Sequence, residues 1–158
     1  LGGRYAADSQ WVDILAEKTG WTVRNLGENG REIPSTAPNF PADTDLLIVM
    51  LGTNDLLQGR SPEQAAARLE RFLSDISLDR RKIFLSAPPP MKQGTWVLDQ
   101  QFIDDSRTFA RLCQTLAEQL GIHFADAGKW DIRLAYDGVH FTAQGHKAFA
   151  ARLLEELK

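Results

Sequence analysis

Cysteine is all but missing from this chain of 158 residues, where Cys113 stands alone. A lone thiol cannot close an internal disulfide, so nothing calls for an oxidising compartment. Nor does its setting suit a nucleophile. Phe102, Phe109, Cys113, Leu116 and Leu120 form one apolar stripe at helical spacing, which predicts a core residue. A basic surplus is lacking too: 18 Lys and Arg are scattered among 21 Asp and Glu, for a net charge of -3. Nucleic acid binding rests on clustered cations against phosphates, so no nucleic-acid partner is expected. No apolar run approaches the ~20 residues that cross a bilayer, which excludes a membrane span. No secretory signal is visible, and a cytoplasmic location is expected over a secreted one. The chain begins at Leu1-Gly2-Gly3 without Met, so its true start is expected upstream. Repeats and low-complexity segments are absent. What is there, 43% hydrophobic and 25% charged residues, describes one ordinary globular domain.

Helical and strand signals alternate along it. Asp8 and Ser9 stand where they would cap a helix over about Trp11 to Thr19, with Gly20 as its stop. Trp21 to Leu26 reads as a short strand. Beyond Pro34, Pro38 and Pro41, Asp45 to Leu51 reads as a buried parallel strand covered on both faces. Ser61-Pro62-Glu63-Gln64 is a capped helix start, and Ala65, Leu69, Phe72, Leu73 and Ile76 continue its apolar face. Lys82 to Ser86 predicts the next strand, stopped by Ala87-Pro88-Pro89-Pro90. A long helix over about Asp99 to Leu120 closes at Gly121. Ile122 to Ala125 predicts the last strand, and Thr142 caps a final helix that turns Phe149, Ala150, Leu153 and Leu154 inward. Strands separated by amphipathic helices specify an α/β domain with a parallel sheet. Ligands of such sheets bind outside the carboxyl ends of the strands.

Three polar segments follow predicted strands: Asn25 to Gly30, Gly52-Thr53-Asn54-Asp55, and the loop ending at Asp137-Gly138-Val139-His140. Taken singly, each reads as a turn. The last can also set a carboxylate against an imidazole without distant help, the base and orienter of a serine-type hydrolase. Together these segments resemble the SGNH hydrolase or GDSL esterase-lipase family over nearly all of the chain. Pro88-Pro89-Pro90-Met91 and Trp96 resemble its arylesterase-like branch. The resemblance implies a flavodoxin-like, three-layer fold with strand order 2-1-3-4-5 and helices on both faces. It implies a carboxylic ester hydrolase that works through an acyl-serine intermediate. In that scheme His140 is the base, Asp137 its orienter, and Asn54 and Gly30 the oxyanion donors, with Gly27 as the alternative to Gly30. Met91 and Trp96 are candidate walls of the substrate pocket, or else loop residues folded onto the core or a subunit contact.

The family's Gly-Asp-Ser block, which carries the nucleophile on the first strand, is not in this sequence. Ser9, in Ala7-Asp8-Ser9, follows no apolar strand and precedes a helix; Ser86 runs into prolines. Removing an interior strand would leave unpaired backbone groups costing about 1–3 kcal/mol each where buried, against a net domain stability of ~5–15 kcal/mol. Residues 1–158 are therefore expected to be one SGNH-like domain, incomplete at its N-terminus, with the serine upstream. The rival is a non-catalytic domain that binds acyl or carbohydrate ligands and has lost the block. His123 and His146 are expected to be structural. Asp137, His140 and His146 lack a zinc spacing, and Gly27 and Gly30 form no phosphate loop. The expected chemistry needs no cofactor and no metal, its partner is a small-molecule ester, and assembly as a homo-oligomer stays open.

Overall fold

The computed structural model describes residues 10–27 and 30–158. Its centre is a parallel sheet of three strands in the order β1-β2-β3: β1 (Leu47–Val49), β2 (Ile83–Ala87) and β3 (His123–Asp126). Leu47, Ile48 and Val49 stand beside Ile83, Phe84 and Leu85, and Phe84 to Ala87 beside His123 to Asp126. Every residue of β2 is buried, as a central strand requires.

Among the described residues five α-helices accompany the sheet: α1 (Trp11–Thr19), α2 (Thr53–Leu57), α3 (Pro62–Ser74), α4 (Gln100–Leu120) and α5 (Ala143–Glu156). Side chains alternate across a strand, and the core divides accordingly. Val49, Ile83, Leu85 and Ala87 join Leu69 and Phe72 of α3 and Phe109, Cys113 and Leu116 of α4. Phe84 and Ala125 join Leu15 of α1 and Phe149 and Leu153 of α5 on the other face. The α3 and α4 crossovers share a face because both move the chain the same way across a parallel sheet. The result is three layers.

Local chemistry starts and stops the helices. Ser61 and Gln64 close a reciprocal capping box, at 3.1 Å into the Ser61 hydroxyl and 2.9 Å back to the Gln64 side chain. Thr142 accepts from the Gly145 N–H at 3.0 Å, and Gly121 ends α4 at φ 68°. The start of α1 differs from the sequence reading. Its cap is Gln10, which offers no side-chain hydrogen bond; Asp8 and Ser9 lie outside the described residues. The Trp11 N–H instead donates to Nδ1 of His146 on α5, at 3.1 Å. A tertiary acceptor serves where a local one was expected.

Two strand expectations are corrected. The strand expected at 45–51 is only three residues long, and residues 21–27 form none, so the described sheet has three strands rather than four. Trp21, Val23 and Leu26 are exposed instead. A strand exists only through its ladder. In the order 2-1-3-4-5 the segment at 21–26 would pair solely with the first strand, and β1 would pair with that strand and with β2. Among the described residues no first strand is present, so the one segment has no partner and the other is shortened to its ladder with β2.

Candidate active site

Between β3 and α5 the chain folds into a small hairpin. Leu134 bridges Phe141, the Ala135 N–H donates to the His140 carbonyl at 2.7 Å, and the Thr142 N–H donates to that of Arg133 at 3.1 Å. Asp137 to His140 form its tip, and Gly138 turns the backbone there at φ 83°. Asp137 is buried, and its Oδ1 accepts the N–H groups of Val139 at 2.8 Å and His140 at 2.9 Å. Its Oδ2 lies 2.6 Å from His140 Nδ1. Burial alone would raise the Asp137 pKa. The two backbone donors and the imidazole outweigh it and hold the carboxyl below its ordinary value. An ionised carboxylate only accepts, so Nδ1 carries the proton and Nε2 is the lone-pair nitrogen of the neutral ring. That ring keeps part of its surface open, at 33% exposure.

The proline-rich loop after β2 is stitched to this tip. The N–H groups of Lys92, Thr95 and Trp96 donate to the carbonyls of Gly138, Tyr136 and Asp137 at 3.0, 3.1 and 3.2 Å. The approach is close enough to demand glycine on both sides. A Cβ on Gly94 would press into the Asp137–Gly138 backbone, and one on Gly138 would overlap the Lys92 carbonyl. Trp96 is thereby set edge-on to His140, with ring centroids 5.0 Å apart at 79°. It remains 46% exposed. Met91 does not share that position. It is 3% exposed within the α3–α4 core, and its N–H donates to the buried Ser106 hydroxyl at 3.0 Å.

Asn54 lies in α2, just beyond β1. Gly52 ahead of it has φ 123°, and the Phe109 ring lies where a Cβ would go. The Asn54 amide donates to the Arg31 carbonyl at 3.1 Å. Next to Arg31, Gly30 is exposed in a turn at φ 71°. The Gly27 N–H is already taken by Asn25 Oδ1 at 2.9 Å. Asn54 with Gly30 and Asp137 with His140 and Trp96 thus form two groups, the first where α2, just beyond β1, meets residues 30–31, the second on the loops that follow β2 and β3. Among the described residues no hydrogen bond joins them. His123 is exposed in β3, and His146 serves α1.

One participant escaped the sequence reading. Asp55 is fully buried, and its partner Arg68 lies on α3. The signal was available: Arg68 falls on the helical stripe of Ala65 and Phe72, where an apolar residue is the default.

Residues 2–148 match the GDSL-like Lipase/Acylhydrolase family. The chain belongs to that family. Among curated proteins it is similar to GDSL esterase/lipase CPRD49 of Arabidopsis thaliana, 27% identical over 171 residues. That match covers 92% of this chain and 66% of the relative, so the chain spans about two thirds of that protein's length. Among solved structures it is similar to the native M. smegmatis aryl esterase, with TM-score 0.78 and 23% identity over 98% of this chain and 87% of that one. A carbohydrate acetylesterase family member from Sinorhizobium meliloti superposes with TM-score 0.81 and 22% identity, over 98% of this chain and 88% of that one. Both carry the flavodoxin-like, three-layer fold of SGNH hydrolases, which this chain shares.

Proposed function

We propose that this domain hydrolyses carboxylic esters through an acyl-serine intermediate, with His140 as general base. The observation that carries the reading is the 2.6 Å contact between His140 Nδ1 and an Asp137 carboxylate already held by two backbone N–H groups. Such a carboxylate fixes the ring tautomer and stabilises the imidazolium that forms when Nε2 takes a proton. The serine Oγ attacks the carbonyl carbon while its proton passes to Nε2. The carbonyl oxygen becomes an oxyanion, received by the Gly30 N–H and the Asn54 amide. A primary amide has two N–H donors, so the bond to Arg31 leaves one for this task. Collapse expels the alcohol, which takes the proton from His140, and water repeats the sequence to release the acid.

The described serines nearest the strand ends do not suit the attack. Ser86 is buried in β2 with its hydroxyl donating to the Ala87 carbonyl, and Ser106 donates to the Ile103 carbonyl beneath the loop. The nucleophile is assigned to a strand added at the open edge of β1, a reading supported by the segment at 21–26, which has no partner strand among the described residues. Trp96 forms a wall of the acyl pocket, while Met91 supports the loop from below. The rival is a binding domain that keeps the crevice without the nucleophile. A fluorophosphonate probe on the full-length protein separates the two. Covalent labelling that is lost in His140→Ala is expected. Ligand binding with no labelling and no ester turnover would establish the binder.

A further inference from the structure

The two groups assigned to the oxyanion come from different elements, and a buried carboxylate, Asp55, paired with the half-buried Arg68 at 3.0 Å and flanked by Arg60 at 3.7 Å, fastens those elements together. Ile33 belongs to the segment that carries Gly30, and both of its backbone polar groups are held from the Asn54 side of the molecule. Its N–H donates to Asp55 Oδ1 at 2.8 Å, and its carbonyl accepts from Arg68 at 2.6 Å. Arg68 Nε donates to Asp55 Oδ2 at 3.0 Å. Asp55, Ile33 and Arg68 therefore close a ring of three hydrogen bonds, and Asp55 follows Asn54 directly in α2. Glu32 extends the ring outward, with Oε2 lying 3.2 Å from Arg60 and 3.7 Å from Arg68. Ile33 is itself buried at 1% exposure, so the loop cannot shift without opening the core.

We infer that Asp55 and Arg68 are positioning residues that hold the Gly30 loop and Asn54 in register, so that two donors on separate elements aim at one oxygen. This rests on the ester hydrolase reading above. A buried charge left alone is strongly unfavourable, so an acid directly behind Asn54 is an expensive way to fill space. Its bonds to the far loop explain it. Arg suits the place better than Lys, because its rigid fork presents Nε to the Asp55 carboxylate and a terminal nitrogen to the Ile33 carbonyl at a fixed spacing. The pair touches no reacting atom; it acts through Asn54 and the loop.

The test is a double-mutant cycle in the full-length protein with a chromogenic ester. Arg68→Met is expected to lower kcat about 10- to 100-fold with KM within about twofold, since an ångström of misplacement costs up to roughly that much. Arg68→Lys, which keeps the charge and one bond, is expected to recover part of the loss. The deciding measurement is Arg68→Met in the Asn54→Ala background. With one donor already gone, the further loss is expected to fall well below that seen in the parent. Equal losses in both backgrounds, or a normal kcat in a folded Arg68→Met variant, would overturn the inference. Should Arg68→Met not fold, the same cycle run with Arg68→Lys decides in the same way. A wild-type protein without ester turnover, or an Asn54→Ala variant at full rate, would instead remove the underlying function.

Discussion

A carboxylate that accepts two backbone N–H groups and faces an imidazole is anchored before any substrate arrives, and its removal has a definite signature. Asp137→Asn should lower kcat by about 10⁴, because the amide no longer selects the tautomer that leaves Nε2 free. His140→Ala should abolish turnover with the fold intact by circular dichroism. Asn54→Ala should cost about 10²–10³ in kcat, as loss of one oxyanion donor does. The Asp137 carboxyl sits below its ordinary value in the folded protein, so its contribution to stability is complete above that value, 3.8, and is lost as pH falls through the folded value. Cys113 behaves in the opposite sense. Burial, reinforced by Asp126, pushes its thiol up to about 12, so it stays protonated at neutral pH. Iodoacetamide should leave it unmodified in the native protein and alkylate it in denaturant, read by intact mass.

Among the elements, the junction of α1 with α5 should respond to pH. Burial holds His146 below its ordinary value of 6.5, and its Nδ1 accepts from the Trp11 N–H. A base with a depressed folded pKa stabilises the fold fully above its ordinary value and ceases to do so as pH falls through the lower one. Protection factors of the α1 amides, followed by hydrogen exchange with mass spectrometry and corrected for the intrinsic rate, should therefore fall on acidification below the ordinary imidazole value while those of α3 and α4 hold. His146→Gln should flatten that acid response. The elements also show what a sequence does and does not disclose. The capping box at Ser61, the αL stop at Gly121 and the Asp137–His140 pair were legible because each is local, within four residues. The segment at 21–26 has a strand's composition yet finds no partner strand among the described residues, and pairing is non-local. The Trp11 N–H at the start of α1 has a non-local acceptor of the same kind, His146, 135 residues away. Arg68 was visible as an interruption of an apolar stripe, but its two partners come from other elements.

At the scale of the whole molecule the sheet ends on two edges: among the described residues β1 and β3 each have a ladder partner on one side only, and Trp21, Val23 and Leu26 are exposed. Open strand edges and exposed apolar groups are templates for association. A polypeptide of these 158 residues alone is therefore expected to self-associate and to bind ANS, by sedimentation and fluorescence. A monomer that unfolds cooperatively without binding the dye would refute this. Among the described residues no helix is long and apolar enough to cross a membrane. The stitching of residues 92–97 to 136–138 bears on how such an enzyme diversifies. The loop that would choose the acyl group shares backbone bonds with the turn that carries His140, the proposed base, so lengthening it would drag that ring along. Side-chain exchange at Trp96 leaves those bonds alone. New specificities should therefore arise by substitution at that tryptophan, while loop grafts from relatives should succeed only when the 133–142 hairpin is transplanted with them.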